Sequence, residues 1–228
     1  MNNTLTKLHR GLIVSCQALP EEPLHSSFIM GKMALAAKQA GASGIRANSV
    51  PDILEIRATV NLPMIGIIKR VFPDSLVYIT PTQAEIAALV DTGVEIIATD
   101  ATNRPRPNGQ TLDDFFQEIR AAYPNQLFMA DCSSLDDMLH AQELGFDLVG
   151  TTLVGYTEKT RGAVIPDFEL ISQASSTLRI PLIAEGGIHY PPQLRKVLDC
   201  GAFCAVVGGA ITRPQEITAR FLAAIEEN

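Results

Sequence analysis

The stretch PLIAEGGIHYPPQLRKVLDCGAFCAVVGGAITR, residues 181–213, decides the fold. Two short apolar runs, 181–185 and 204–208, flank a segment of helical periodicity at 191–200 that opens on Pro191-Pro192 and stops at Gly201. The order is strand, helix, strand. The runs are apolar at successive rather than alternate positions, as strands covered on both faces require. Each run leads into a glycine pair, Gly186-Gly187 and Gly208-Gly209, and the second pair leads on to Arg213.

Outward from this stretch, the same alternation recurs every ~25–30 residues, the spacing of βα units. Further strands fit at 11–16, 44–48, 64–69, 95–100, 127–132 and 147–152, which makes eight in all. Helices fit from Ser26 or Ser27 to Gly41, at 51–59, from Thr80-Pro81 to Gly93, and at 112–122, 134–144, 167–177 and 214–226. Several helices stop on one phrase, as in Glu143-Leu-Gly-Phe146, where glycine takes the left-handed cap and an apolar residue opens the next strand. Eight such units in 228 residues predict a (β/α)8 TIM barrel, a fold that typically needs ~250 residues. No Gly/Ser linker divides the chain, so 1–228 reads as a single domain. The competing doubly wound sheet lacks its G-x-G-x-x-G after any early strand.

Composition narrows the partners. Lys plus Arg total 18 against 25 for Asp plus Glu, a net charge of −7. That is the opposite of a nucleic-acid footprint. No apolar run approaches the ~20 residues that span a bilayer, so no membrane partner is expected. Lys7, His9 and Arg10 before Gly11–Cys16 imitate a signal peptide, but the apolar part is too short. Cysteines at 16, 132, 200 and 204 form neither a disulfide framework nor a metal-ligand set. They fit small buried hydrophobes in a reducing, cytoplasmic compartment, with no metal expected.

In a TIM barrel the chemistry sits at the C-terminal ends of the strands. There this sequence places Ser15 and Gln17, Arg46, Lys69-Arg70, Asp100, Asp131, Thr151-Thr152 and Glu185. Lys69 ends an apolar run, and a partly desolvated lysine has a lowered pKa, suiting it to act as a base or to form a Schiff base. Glu185 ends another apolar run and could pair with Lys69 across the barrel, with a purely structural bridge as the plainer reading. Gly186, Gly187, Gly208, Gly209 and Arg213 suit a phosphate held by loop amides and a guanidinium after the last two strands. Tight turns are the plainer reading of those glycines.

The stretches GLIVSCQ (11–17), GIRAN (44–48), IGIIKR (65–70), VYITP (77–81), DATNRPRP (100–107), DCS (131–133), GTTLVGYT (150–157) and IAEG (183–186) resemble, in order from about residue 11 to 220, the N-acetylmannosamine-6-phosphate 2-epimerase family. The phrases D-x-T-x-R-P-R-P and G-T-T-L-x-G-Y-T are the most discriminating. The resemblance implies interconversion of N-acetylmannosamine 6-phosphate and N-acetylglucosamine 6-phosphate in sialic-acid and aminosugar catabolism. It implies a small sugar-phosphate substrate, no cofactor, and a homodimer. It makes Lys69 and Glu185 catalytic and puts Gln17, Arg46, Asp131 and Arg213 in contact with substrate. Thr152, at the sixth strand end, is a further candidate. Val71-Phe72 and Gly187-Ile188 depart from the family's pattern. A Schiff-base aldolase at Lys69, a pentulose-phosphate epimerase and an inactive sugar-phosphate-binding regulator stay open. The second would need metal-binding side chains at strand ends, and none of His9, His25, His140 or His189 lies at one. His189, before Tyr190-Pro191-Pro192, suits a helix entry.

Overall fold

A computed structural model describes residues 3–226, and its strands form one closed parallel barrel in chain order. They are β1 (Leu12–Cys16), β2 (Gly44–Asn48), β3 (Met64–Ile67), β4 (Ile96–Asp100), β5 (Leu127–Asp131), β6 (Leu148–Gly150), β7 (Leu182–Glu185) and β8 (Cys204–Val207). Closure comes from β8 lying against β1, with Val206 opposite Ile13. Every expected strand is present, and the TIM barrel is the fold. β3 and β6 stop short of their expected ends at 69 and 152. In β3 the cause is local: the Lys69 N–H donates to the Asn48 side-chain oxygen at 2.8 Å, and Lys69 then bridges Ile79 in antiparallel fashion. The chain thus doubles back over the barrel mouth.

The helices are α1 (Asn3–Leu8), α2 (Ser27–Gln39), α3 (Val50–Thr59), α4 (Gln83–Asp91), α5 (Leu112–Ala122), α6 (Leu135–Leu144), α7 (Phe168–Thr177), α8 (Pro191–Asp199), α9 (Gly209–Thr212) and α10 (Pro214–Glu226). α4 starts later than Thr80-Pro81 because Thr82 supplies the cap: its hydroxyl accepts from the Ala84 N–H, and Glu85 accepts the Thr82 N–H at 3.0 Å. α6 ends as expected on Gly145, at φ 95°. α1 was not anticipated. Six residues are too few to show a period, and the basic cluster drew attention instead. It inserts Leu8 among the barrel-interior side chains, close to the start of β2.

The core has two layers. Ile13, Ile65, Ile67, Ile96, Met129, Leu148 and Val206 fill the barrel interior, while residues such as Val14, Ile45, Ile97, Phe128 and Val149 face the helices. The alternation along each strand therefore divides apolar residues between two buried faces, which is why the runs are continuous in sequence. Burial pushes the Cys16 and Cys204 thiols up to about 12, consistent with small apolar fillers.

Candidate active site

A cavity of about 290 Å³ opens at the C-terminal end of the barrel. On its floor Arg46, from β2, is buried with an inward guanidinium. One face of that group takes the Asp131 carboxylate in a two-point contact, at 2.6 and 3.1 Å. Nη1 also lies 3.0 Å from Glu185 Oε2. Thr152 ties the two acids together, its hydroxyl 2.6 Å from Asp131 Oδ1 and 3.3 Å from Glu185 Oε2. One buried cation thus lies between a buried carboxylate and a partly exposed one, and pairing is the condition under which buried charges are tolerated.

This changes the expected pairing. Glu185 pairs with Arg46 rather than Lys69, because a guanidinium rooted in the barrel wall reaches both acids at once. Lys69 enters from beyond the strand ladder and makes no ion pair among the described residues. Burial lowers its pKa first, Arg46 and Arg213 lower it further, and Glu185 and Glu22 oppose them. Arg70 points elsewhere and pairs with Glu85 at 2.9 Å. Burial raises the Glu185 pKa, Asp131 adds to the rise, and Arg46, Lys69 and Thr152 restrain it.

Lys69, Glu185, Gln17, Arg46, Thr152 and Arg213 border the cavity together with all four loop glycines. Asp131 does not; it is buried behind Arg46, with both oxygens engaged. Gln17 donates from Nε2 to Ser15 Oγ at 2.9 Å, while its buried Oε1 has no partner. Among the cavity walls it is a ready acceptor for a ligand hydroxyl.

At the far end, Gly208 and Gly209 open the short α9, and Thr212 fastens it by donating to the Ser15 carbonyl at 2.8 Å. Arg213 is gripped by Glu22, 2.5 Å from Nε, with Glu216 at 3.6 Å. Neither acid carries a sequence signal, since each lies in an ordinary polar segment. Gly187 has φ 69°, and a Cβ there would come within 2.5 Å of the Ile165 backbone. As folded here, the loop has no room for a side chain at 187. His189 is a helix-entry residue, its N–H donating to Gln193 Oε1 at 2.8 Å, and it also borders the cavity rim.

The D-x-T-x-R-P-R-P segment stands behind the site. Asp100 accepts from the Thr102 N–H and hydroxyl and pairs with Arg104 at 2.5 Å. Arg106 is buried and donates to the carbonyls of Thr80, Pro81 and Asp100 and to Thr99 Oγ1. Its guanidinium lies 3.7 Å from the centre of the Phe115 ring. It straps the returning segment 77–81 to the barrel. That segment carries Tyr78, a cavity residue with no periodic pattern to mark it; Tyr156 faces the same space. No group of three His, Cys, Asp or Glu side chains converges to hold a metal among the described residues. None of their helices is long and apolar enough to cross a membrane.

Comparison with known proteins gives the family and the fold. Residues 30–227 match the family described as "Putative N-acetylmannosamine-6-phosphate epimerase". A relative from Enterobacter sp. (strain 638), named "Putative N-acetylmannosamine-6-phosphate 2-epimerase", is 56% identical over 99% of this chain and 97% of its own. One of the same name from Listeria monocytogenes serovar 1/2a is 51% identical over 99% and 96%. The solved N-acetylmannosamine-6-phosphate 2-epimerase from Clostridium perfringens is 52% identical, with a TM-score of 0.93 over 98% of this chain and 96% of that one. A thiamine phosphate pyrophosphorylase from Pyrococcus furiosus, at 18% identity and TM-score 0.62, shares the fold alone.

Proposed function

From the premise that this chain belongs to the N-acetylmannosamine-6-phosphate epimerase family, we propose how its cavity works. The protein is an isomerase that interconverts N-acetylmannosamine 6-phosphate and N-acetylglucosamine 6-phosphate, a step in sialic-acid and aminosugar catabolism. The observation that carries the residue roles is an unpaired, desolvated lysine across the cavity from the Arg46–Glu185 pair, with a glycine-rich anion cradle alongside.

The sugar reacts in its open-chain form, where the C1 aldehyde acidifies the C2 proton. Neutral Lys69 takes that proton, and the C–H electrons move into the C1–C2 bond to give an enolate. Arg46 provides positive charge beside the developing oxygen anion. A solvent proton then reaches the opposite face of C2, the enolate electrons returning to form the new C–H bond, and the Lys69 ammonium releases its proton to solvent, which completes the inversion. Glu185, on the facing wall and with its pKa raised, exchanges the ring-oxygen proton as the sugar opens and closes. Gln17 and Thr152 hold sugar hydroxyls, and Asp131 acts by fixing Arg46. Incubation with either sugar phosphate in heavy water is expected to yield the other, carrying deuterium at C2. A product without that label, or no product, rejects these roles. Borohydride trapping of an imine at Lys69 would instead support an aldolase.

Gly186, Gly187, Gly208, Gly209 and Arg213 bind the phosphate. Arg213→Ala is expected to weaken phosphorylated more than non-phosphorylated sugar, by about 1.5–3 kcal/mol for a lost charge-assisted hydrogen bond. Equal weakening of both in a binding titration would confine Arg213 to its pairs with Glu22 and Glu216. The protein works in the cytoplasm, since a phosphate dianion does not cross a bilayer unaided and the cysteines are free thiols. It works as a homodimer: α10 leaves Phe221, Leu222 and Ile225 exposed, an apolar face that association would cover. Light scattering is expected to give the mass of two chains, and a one-chain mass would reject the dimer.

A further inference from the structure

Tyr78 has a fixed backbone and an unused hydroxyl. Its carbonyl accepts the Arg70 N–H at 2.9 Å, and its neighbour Ile79 bridges Lys69. From behind, Arg106 holds the carbonyls of Thr80 and Pro81 at 3.0 Å each. The ring is half-buried against Ile67 and Ile79 and borders the cavity. Its phenol makes no hydrogen bond among the described residues and is left open to the cavity. Burial, Asp131 and Asp100 raise its pKa against Arg104, which keeps the phenol a neutral donor on the cavity wall.

Its place in the barrel says which part of a ligand it meets. The anion cradle follows β7 and β8, whereas Tyr78 lies in the connection after β3, four strands away from β7 in the closed ring of eight. A sugar held by its 6-phosphate runs from that cradle toward Lys69, which acts at C2. The substituent on C2 then extends away from the phosphate and toward the wall after β3, where Tyr78 stands. We propose that Tyr78 recognises the C2 acetamido group, its ring covering the methyl and its hydroxyl donating to the amide carbonyl oxygen. This rests on the substrate assigned above and assigns the residue that distinguishes acetylated from non-acetylated sugar phosphates.

The test compares binding of N-acetylmannosamine 6-phosphate and mannose 6-phosphate, by titration calorimetry, to the wild type and to Tyr78→Phe. Mannose 6-phosphate carries a hydroxyl at C2 and no amide. The loss of one neutral hydrogen bond is expected to weaken the acetylated ligand about 2- to 12-fold and to leave mannose 6-phosphate within about twofold. In turnover, KM is expected to rise by more than kcat falls, because the acetamido group is held alike in ground and transition states. Equal weakening of both ligands, or of neither, overturns the proposal. Wild-type turnover with a Tyr78-independent preference sinks this inference alone. An intact Tyr78-dependent preference without turnover sinks the catalytic reading and leaves this one standing.

Discussion

Lys69→Arg is expected to abolish turnover while the sugar phosphate still binds. Arginine keeps the positive charge in the cavity but does not release a proton near neutral pH. The loss in kcat is expected to be about 10²- to 10⁴-fold, the usual contribution of a positioned general base, and Lys69→Ala is expected to behave alike. Activity within tenfold of wild type in Lys69→Arg would leave the lysine only an electrostatic role. The pH profile follows from the direction of its shift. Burial and two nearby arginines hold Lys69 below its ordinary 10.5, so kcat/KM is expected to rise with pH through that depressed value and level off before 10.5. Stability changes in the same window. Between the depressed value and 10.5 the folded chain binds fewer protons than the unfolded one, so the Lys69 contribution to stability increases as pH rises. Lys69→Met removes that slope, which chemical denaturation across the alkaline range would detect.

Arg46→Met is expected to cost stability as well as activity. The substitution roughly keeps the volume but leaves Asp131 and Glu185 without the cation between them, and Asp131 is fully buried while Glu185 is mostly so. Removal of one partner from a buried ion pair typically costs about 3–5 kcal/mol, which for a chain of this size lowers the melting midpoint by roughly 6–20 °C. The deficit is expected to shrink as pH falls. Burial already raises the Glu185 pKa while Arg46 restrains it; without Arg46 the carboxyl takes a proton more readily and its burial becomes less costly. Asp131→Asn added to Arg46→Met is expected to recover part of the loss, since one charge disappears. A single variant melting within about 2 °C of wild type would mean that Arg46 contributes no net stability.

The strands were legible because each is apolar at consecutive positions, and the barrel followed from their number. Lys69 and Glu185 were legible for a related reason: an ionisable residue that ends such a run has few places to go except the barrel mouth. What the residues pair with was not legible. Arg46, Asp131 and Glu185 are separated by long intervals of chain, and only closure of the ring brings them within 3.1 Å of one another's contacting atoms. The same holds for Glu22 and Glu216, which meet at Arg213 from segments on either side of the β8–β1 seam. Tyr78 was hidden because the segment 77–81 owes its position to a bridge with Lys69 and to Arg106 rather than to any periodicity of its own.

Arg106 and its neighbours bear on how relatives are sorted. The D-x-T-x-R-P-R-P phrase is the most recognisable wording in the chain, yet Asp100, Thr102, Arg104 and Arg106 are occupied with one another and with backbone carbonyls. A descendant that had lost Lys69 could therefore keep the phrase intact, because the barrel needs the strap whether or not any sugar is turned over. Genome surveys that assign an activity on that wording would count such inert descendants as enzymes. Positions 69 and 185, which the strap does not touch, are the ones to inspect before an activity is transferred from one genome to another.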